Sequence, residues 1–283
     1  MSEINPIEIH RQVIYKNQTA LDLLKDHDEL SPEQILLCFE NGSVWLETAG
    51  KPQRIYNIET KLKPGHKIHC YCNSTTLADC PFKPELVADF DDFSIWNKPS
   101  GMLSQGSKWG DHWALYRWIK QNYWPERDSF ITHRLDRFTS GLIVVAHNKT
   151  TNTQFHRLFE NRKINKTYRA IVSGLMIQDQ TLTLNSDIDN KTAKTQVKVI
   201  DLQQTSQLSL VEIKPETGRK HQIRVHLAET GHPVINDRQY GKPPFDGDLQ
   251  LQASELEFSH PTKNESIHIK LNKADLLRLK KIR

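Results

Sequence analysis

Ile131-Thr132-His133-Arg134-Leu135-Asp136-Arg137-Phe138-Thr139-Ser140-Gly141-Leu142 runs without a break into Ile143-Val144-Val145-Ala146. The second half is a short, continuous apolar run, which reads as a buried strand. The first half sets one aspartate between two arginines at the mouth of that strand. Opposite charges within a few ångströms favour the ionised form of a carboxyl group, so Asp136 is expected to be a carboxylate held by guanidinium groups. Such a group is either a structural ion pair or a carboxylate prepared for chemistry. Taken alone, the structural reading is the stronger, because structural ion-pair networks perturb carboxylates too.

Working outward, 283 residues suffice for one large domain or a small one joined to a medium one. The apolar runs are far shorter than the ~20 residues that span a bilayer. Residues 1–10 carry acidic side chains and no apolar stretch, so they do not read as a secretory signal. Four cysteines without a paired framework point to a reducing compartment, and a cytoplasmic location is expected. The net charge of +4 permits a polyanionic partner without demanding one. Its distribution is more telling: Arg157, Arg162, Lys163, Lys166 and Arg169 fall together, as do Lys214, Arg219, Lys220 and Arg224, and residues 273–283 form a basic end. Such clusters would serve a phosphate backbone, although a charged stretch is more often a solvated face.

Residues 1–75 read as a small N-terminal domain. Ser31-Pro32-Glu33-Gln34 is a capping-box start, with Ser31 as N-cap and Gln34 reaching back, and Asn41-Gly42 ends the helix. Val44-Trp45-Leu46 reads as a strand, and Lys63-Pro64-Gly65 turns into a second at Ile68-His69-Cys70-Tyr71. Residues 76–90, with Pro81 and Pro84, read as a linker. Residues 91–283 form the main domain. A strand at Phe93-Ser94-Ile95-Trp96 is broken by Asn97-Lys98-Pro99-Ser100-Gly101. Asp111 and Thr151 are expected to cap helices carrying Leu115, Trp118 and Ile119, and Phe155, Leu158 and Phe159. Alternating segments follow at 166–172, 194–200 and 208–214 with hairpin-scale connections. The predicted class is α+β: a mixed, largely antiparallel sheet flanked by helices.

Two further segments carry chemistry. In the strand around Lys166-Thr167-Tyr168-Arg169-Ala170, side chains alternate, so Lys166, Tyr168 and Ala170 share a face. Tyr168 could stack on a base or could be a core tyrosine. In Thr217-Gly218-Arg219-Lys220-His221-Gln222-Ile223-Arg224, Thr217 is expected to cap a helix whose first amides, with Arg219 and Lys220, would suit a phosphate. Ile223 and Leu227 would pack inward. Arg224, at the edge of that buried face, needs a carboxylate partner because an unpaired buried charge is very costly, and Asp136 is the natural candidate.

His133-Arg134-Leu135-Asp136-Arg137-Phe138-Thr139-Ser140-Gly141 resembles the signature of the RluA-type RNA pseudouridine synthases. Asn97–Gly101, the Lys166-Thr167-Tyr168 strand, Thr217–Arg224, Gly231-His232-Pro233 and Asp237-Arg238-Gln239-Tyr240-Gly241 match that family's other landmarks in the same order. The resemblance covers about residues 90–260 and implies the pseudouridine synthase fold, with Asp136 as catalytic aspartate, Tyr168 stacking on the target uracil and Arg224 as salt-bridge partner of Asp136. It places Arg134 and Arg137 where the family holds the RNA backbone or helps extrude the base. Lys166, Arg219, Lys220, His221 and Gln222 are expected to contact substrate beside them. Phe138 occupies a position that varies in the family and so bears on substrate choice. Asn236 stands where the family often has glycine. The N-terminal domain resembles the alpha-L RNA-binding motif.

The reaction thus implied moves no electrons and adds no water, so no metal, redox or nucleotide cofactor is expected. The expected partner is structured RNA, ribosomal or transfer, met by a monomer away from membranes. Substrate choice is expected to lie in the N-terminal domain and residues 105–124. A metal site at His66, His69, Cys70, Cys72 and Cys80 lacks paired knuckles, and buried structural cysteines are the better reading. A kinase catalytic loop resembles His133–Asp136 only superficially, without a Gly-rich loop. A non-catalytic RNA-binding protein on the same fold and a glycosidase releasing free base remain alternatives.

Overall fold

The computed structural model describes residues 5–16, 18–25, 27–263 and 265–279, so part of the basic end at 273–283 lies outside the described residues. The chain divides into two compact units, Met1–Pro81 with Gln105–Asn122, and Phe82–Ser104 with Tyr123–Arg283. Gln105–Asn122 therefore belongs with the N-terminal residues, whereas the sequence suggests boundaries at 75 and 91.

The first unit holds strands β1 (Ile7–Gln12), β2 (Val44–Glu47), β3 (Gln53–Arg54) and β4 (Lys67–Cys72), and helices α1 (Ala20–Leu24), α2 (Pro32–Glu40) and α3 (Leu115–Asn122). The strands form an antiparallel sheet in the order β1-β4-β2-β3. The capping box of α2 forms as expected: the Gln34 amide donates to Ser31 Oγ (3.2 Å) and the Ser31 amide to Gln34 Oε1 (2.9 Å). Ile35, Cys38 and Phe39 of α2 share the buried core with Val44, Ile68, Cys70 and Cys72. His69, on the opposite face of β4, instead bonds His10 and Glu47. Among the described residues no group of His, Cys, Asp and Glu is arranged to hold a metal ion.

Asp111 explains why residues 105–122 join this unit. It is not a helix cap; its carboxylate is fully buried and accepts from Tyr56 Oη (2.6 Å), Arg117 Nη1 (3.1 Å) and Tyr116 Oη. A buried charge demands such partners, and Tyr56 supplies one from 55 residues away.

The second unit is built on one ten-stranded sheet. Its strands are β5 (Glu85–Asp89), β6 (Phe93–Lys98), β7 (Phe130–Ile131), β8 (Ser140–Ala146), β9 (Ile164–Ser173), β10 (Thr181–Ile188), β11 (Lys191–Gln203), β12 (Leu208–Pro215), β13 (Leu251–Ser259) and β14 (Ser266–Lys270). The order is β10-β11-β12-β9-β13-β8-β6-β5, with β14 on β13 and β7 on β8. Only β13 and β8 pair in parallel among the described strands, so the sheet is mixed and largely antiparallel, as expected. Residues 141–146 of β8 are all buried, which accounts for the unbroken apolar run.

Helix α4 (Lys149–Glu160) packs Phe155 into the core with Phe93, Leu142 and Val144. Its cap is Asn148, whose Oδ1 accepts the Thr151 amide at 2.8 Å; Thr151 is itself inside the helix and buried. Helix α5 (Gln222–Glu229) starts well after the position a Thr217 cap would give it, following His221 in a left-handed conformation (φ 56°). No helix among the described residues is long and apolar enough to cross a membrane.

Candidate active site

The register of three strands positions the site. Ala253 of β13 pairs with Gly141 of β8 on one side and with Tyr168 of β9 on the other. The loop 132–139 that leads into β8 therefore ends two strands from Tyr168. Gly141 permits this closeness: φ is +105°, and an added Cβ would lie 2.1 Å from the Ala253 carbonyl oxygen.

The end of β6 and the segment after it clamp this loop. Lys98 is fully buried, and its Nζ donates to the carbonyls of Pro99 (3.0 Å), Met102 (2.9 Å) and Arg137 (3.1 Å). Burial pulls its pKa down to about 7 while nearby Asp136 opposes the fall. Three carbonyl acceptors match the three N–H bonds of an ammonium, so the geometry favours the charged form. Ser104 Oγ donates to the Leu135 carbonyl (2.8 Å) and accepts its amide (3.1 Å). Inside the loop, His133 Nε2 accepts the Val144 amide (3.1 Å), and burial drives the imidazole pKa down to about 3.

Asp136 emerges from this clamped loop with its side chain one-third exposed. Arg224 Nη1 lies 3.5 Å from Oδ2, and His221 Nε2 lies 3.8 Å from Oδ1. The expected Asp136–Arg224 pairing is thus present but secondary. The principal partner of Arg224 is Asp237, which takes Nε and Nη2 in a bidentate pair at 2.7 Å each. Asp237 is buried and also accepts the amides of Gln239 (3.0 Å) and Tyr240 (3.1 Å). Burial works to raise its pKa; Arg224 and the two amides overcome this and hold the carboxyl below its ordinary value. Tyr240 completes the cluster, its ring 5.0 Å from the Arg224 guanidinium and its hydroxyl 3.0 Å from His221 Nδ1.

Arg134, Asp136, Lys166, Tyr168, His221 and Arg224 line one cavity of about 140 Å³. Tyr168 is buried, and burial, reinforced by the Asp136 charge, raises its phenol pKa, so the ring faces the cavity in neutral form. Burial lowers the Lys166 pKa. Arg219 borders the same cavity and donates through Nε to the Thr192 carbonyl (3.2 Å). A larger cavity of about 490 Å³ shares Asp136, His221 and Arg224 and adds Arg137 and Phe138.

Two expected substrate contacts stand apart from the rest. Gln222 lines the smaller cavity, but it is buried with its amide fully engaged: Oε1 accepts from Thr217 Oγ1 (2.7 Å) and the Arg219 amide (3.0 Å), and Nε2 donates to Lys194 O (3.0 Å) and Thr195 Oγ1 (2.9 Å). It holds the 217–222 loop closed and leaves no hydrogen-bonding atom for a ligand. Lys220 is exposed and lines neither cavity. Thr217, its hydroxyl spent on Gln222 and on the Lys194 amide, caps no helix. Sequence reasoning assigns no role to Lys98 or Asp237, although both sit inside the family's landmarks. Asn236 takes φ +62°, the left-handed region that asparagine tolerates best after glycine, and fixes the turn through the Asp246 and Asp248 carbonyls.

The RNA pseudouridylate synthase family model matches residues 92–229. The chain is 36% identical over 193 residues to the dual-specificity RNA pseudouridine synthase RluA of Yersinia pestis, covering 62% of this chain and 92% of that protein. It is 32% identical over 222 residues to tRNA pseudouridine synthase C of Vibrio parahaemolyticus, covering 67% and 90%. Among solved structures, human RNA pseudouridylate synthase domain containing 1 is similar, with TM-score 0.57 and 26% identity over 69% of this chain and 85% of that one. The chain belongs to the RluA-type RNA pseudouridine synthases.

Proposed function

We propose that this protein isomerises specific uridines in ribosomal or transfer RNA to pseudouridine, with Asp136 as the catalytic aspartate. The observation that carries this reading is a single carboxylate, Asp136, facing a cavity of nucleobase size beside a buried tyrosine and a fixed guanidinium. The reaction breaks the N-glycosidic bond, turns the uracil and rejoins it to the sugar through carbon, with the C5 proton lost and N1 protonated. Hydrolytic glycosidases need a second carboxylate to activate water; here one suffices and water must be kept away. The target base has to leave its stack, at a cost of a few kcal/mol, and Tyr168 offers a replacement surface. Arg134, Arg137, Lys166 and Arg219 supply positive charge for the backbone around it.

The N-terminal unit is read as an accessory RNA-binding module of the alpha-L kind, and the second unit as the catalytic domain. Relatives bear names that include the ribosomal large subunit, tRNA and dual-specificity RNA, which supports RNA of these classes as substrate. Mapping pseudouridines in ribosomal and transfer RNA from cells with and without the gene tests this. Loss of one or a few sites on deletion is expected, restored by the native gene but not by Asp136→Asn. An unchanged map would count against the proposal, and free uracil released from RNA by the protein would favour a glycosidase.

A further inference from the structure

We infer that the larger cavity beside Asp136 is a second nucleotide subsite, in which the base next to the target uridine stacks on Phe138. This rests on the proposed function, since it assumes that the smaller cavity takes a uridine from an RNA strand.

The two cavities share Asp136, His221 and Arg224, so they are neighbouring compartments of one opening. An RNA strand that buries one base against Tyr168 carries its adjacent nucleotide to the mouth of the second compartment, because consecutive bases are joined by a single sugar–phosphate unit. The second compartment, at about 490 Å³, is the roomier of the two.

Its walls suit a base rather than a bare phosphate. Phe138 is 49% exposed, an aromatic ring left to solvent directly after the clamped Asp136-Arg137 pair. Its position is nevertheless fixed: Ser100 Oγ donates to the Phe138 carbonyl (3.0 Å). The Arg137 guanidinium, tied by Nε to the Gly101 carbonyl (3.1 Å), lies 5.4 Å from the ring centroid. An exposed ring with a cation beside it is the combination that holds unpaired bases in single-stranded RNA, where stacking tolerates any base and the cation meets the backbone. The 236–239 turn and residues 247–249 also line the compartment, Arg238 and Gln239 among them exposed. Asp237 in that wall is already saturated by Arg224 and two amides, but Asp136 and the exposed Asp248 also line the cavity and oppose a bare phosphate.

The test uses the full chain and hairpin RNAs whose loop carries one uridine, made with each ordinary base, or with an abasic residue, on its 5′ or 3′ side. Affinity is read by fluorescence anisotropy, and isomerisation by release of tritium from uracil C5. With the native protein, the abasic residue on one side weakens affinity about 5- to 150-fold, the range of one stacked base. Phe138→Ala weakens affinity for intact RNA by a similar factor, and in that variant the abasic residue brings no further loss. Phe138→Trp keeps native affinity and the native dependence on the flanking base. Because the side chain is half exposed, Phe138→Ala is expected to fold, and circular dichroism checks this.

Equal affinity for abasic and intact RNA on both sides would overturn the subsite, as would Phe138→Ala and abasic losses that simply multiply. If no tritium is released yet affinity still depends on the flanking base through Phe138, the subsite stands and the isomerase reading falls. Tritium release with flat affinities leaves the isomerase standing and removes the subsite.

Discussion

Replacing Asp237 by Asn and Asp136 by Asn should separate the structural carboxylate of the cluster from the chemical one. In Asp237→Asn, an oxygen at Oδ1 can still accept from Arg224 Nη2, Gln239 and Tyr240, but the group at Oδ2 becomes an amide that faces Arg224 Nε at 2.7 Å, donor against donor. Arg224 is buried, and stripping one partner from a buried ion pair costs about 3–5 kcal/mol. Asp136 remains 3.5 Å from Nη1 and recovers part of the loss, so about 3 kcal/mol is expected, the low end of that range. Asp136→Asn removes a carboxylate whose side chain is one-third exposed and whose ion pair is long, and pairs of that kind contribute about 0–1 kcal/mol. Urea unfolding at pH 7, followed by intrinsic fluorescence, reads both values. Equal losses, or a larger loss for Asp136→Asn, would refute the assignment of Asp237 as the anchor of Arg224.

Other consequences are as concrete. His133 is a half-buried neutral acceptor with its pKa lowered to about 3, whereas the unfolded chain takes up a proton near 6.5. The unfolded state then binds more protons below that pH, so stability falls as pH drops from about 6.5, by roughly 2 kcal/mol at pH 5 for this one group. His133→Asn, which keeps an acceptor for the Val144 amide, should flatten the pH dependence of the urea midpoint by about that amount; an unchanged slope would contradict it. Lys98→Met strands the Pro99 and Met102 carbonyls, while the Arg137 carbonyl keeps the Gly101 amide (2.9 Å). A loss of about 2–4 kcal/mol is expected in the same unfolding assay, together with slower turnover from a loosened Asp136 loop. Gly141→Ala would drive a methyl group into the Ala253 backbone and should leave little folded protein, measured as soluble yield and circular dichroism; native-like folding would show that β8 and β13 can separate.

The sequence is most legible where structure is local or strongly periodic. The capping box at Ser31, the buried strand after Thr139 and the strand that puts Lys166 and Tyr168 on one cavity all depend on neighbours a few residues apart, and all form. Three expected caps fail because another group wins: Asn148 precedes Thr151, Thr217 is drawn to the Gln222 side chain, and the Asp111 carboxylate is taken by Tyr56, Tyr116 and Arg117. The partner of Arg224 is ambiguous in sequence because two aspartates compete, one 88 residues away and one 13, and only the left-handed turn at Asn236 brings the nearer carboxylate alongside. The role of Lys98 is hidden for a related reason: one of its acceptors lies 39 residues on, and backbone carbonyls leave no mark in side-chain chemistry. The membership of residues 105–122 in the N-terminal unit depends likewise on Tyr56 meeting Asp111.

Whether Asp136 is the group that does the chemistry is decided by tritium release from RNA labelled at uracil C5, with the native protein set beside Asp136→Asn. Unfolding curves establish beforehand that both are folded. Release is predicted for the native protein, unaffected by a chelator and with no free uracil formed, and none above background for Asp136→Asn. Release by Asp136→Asn at the native rate would contradict a catalytic role for this carboxylate.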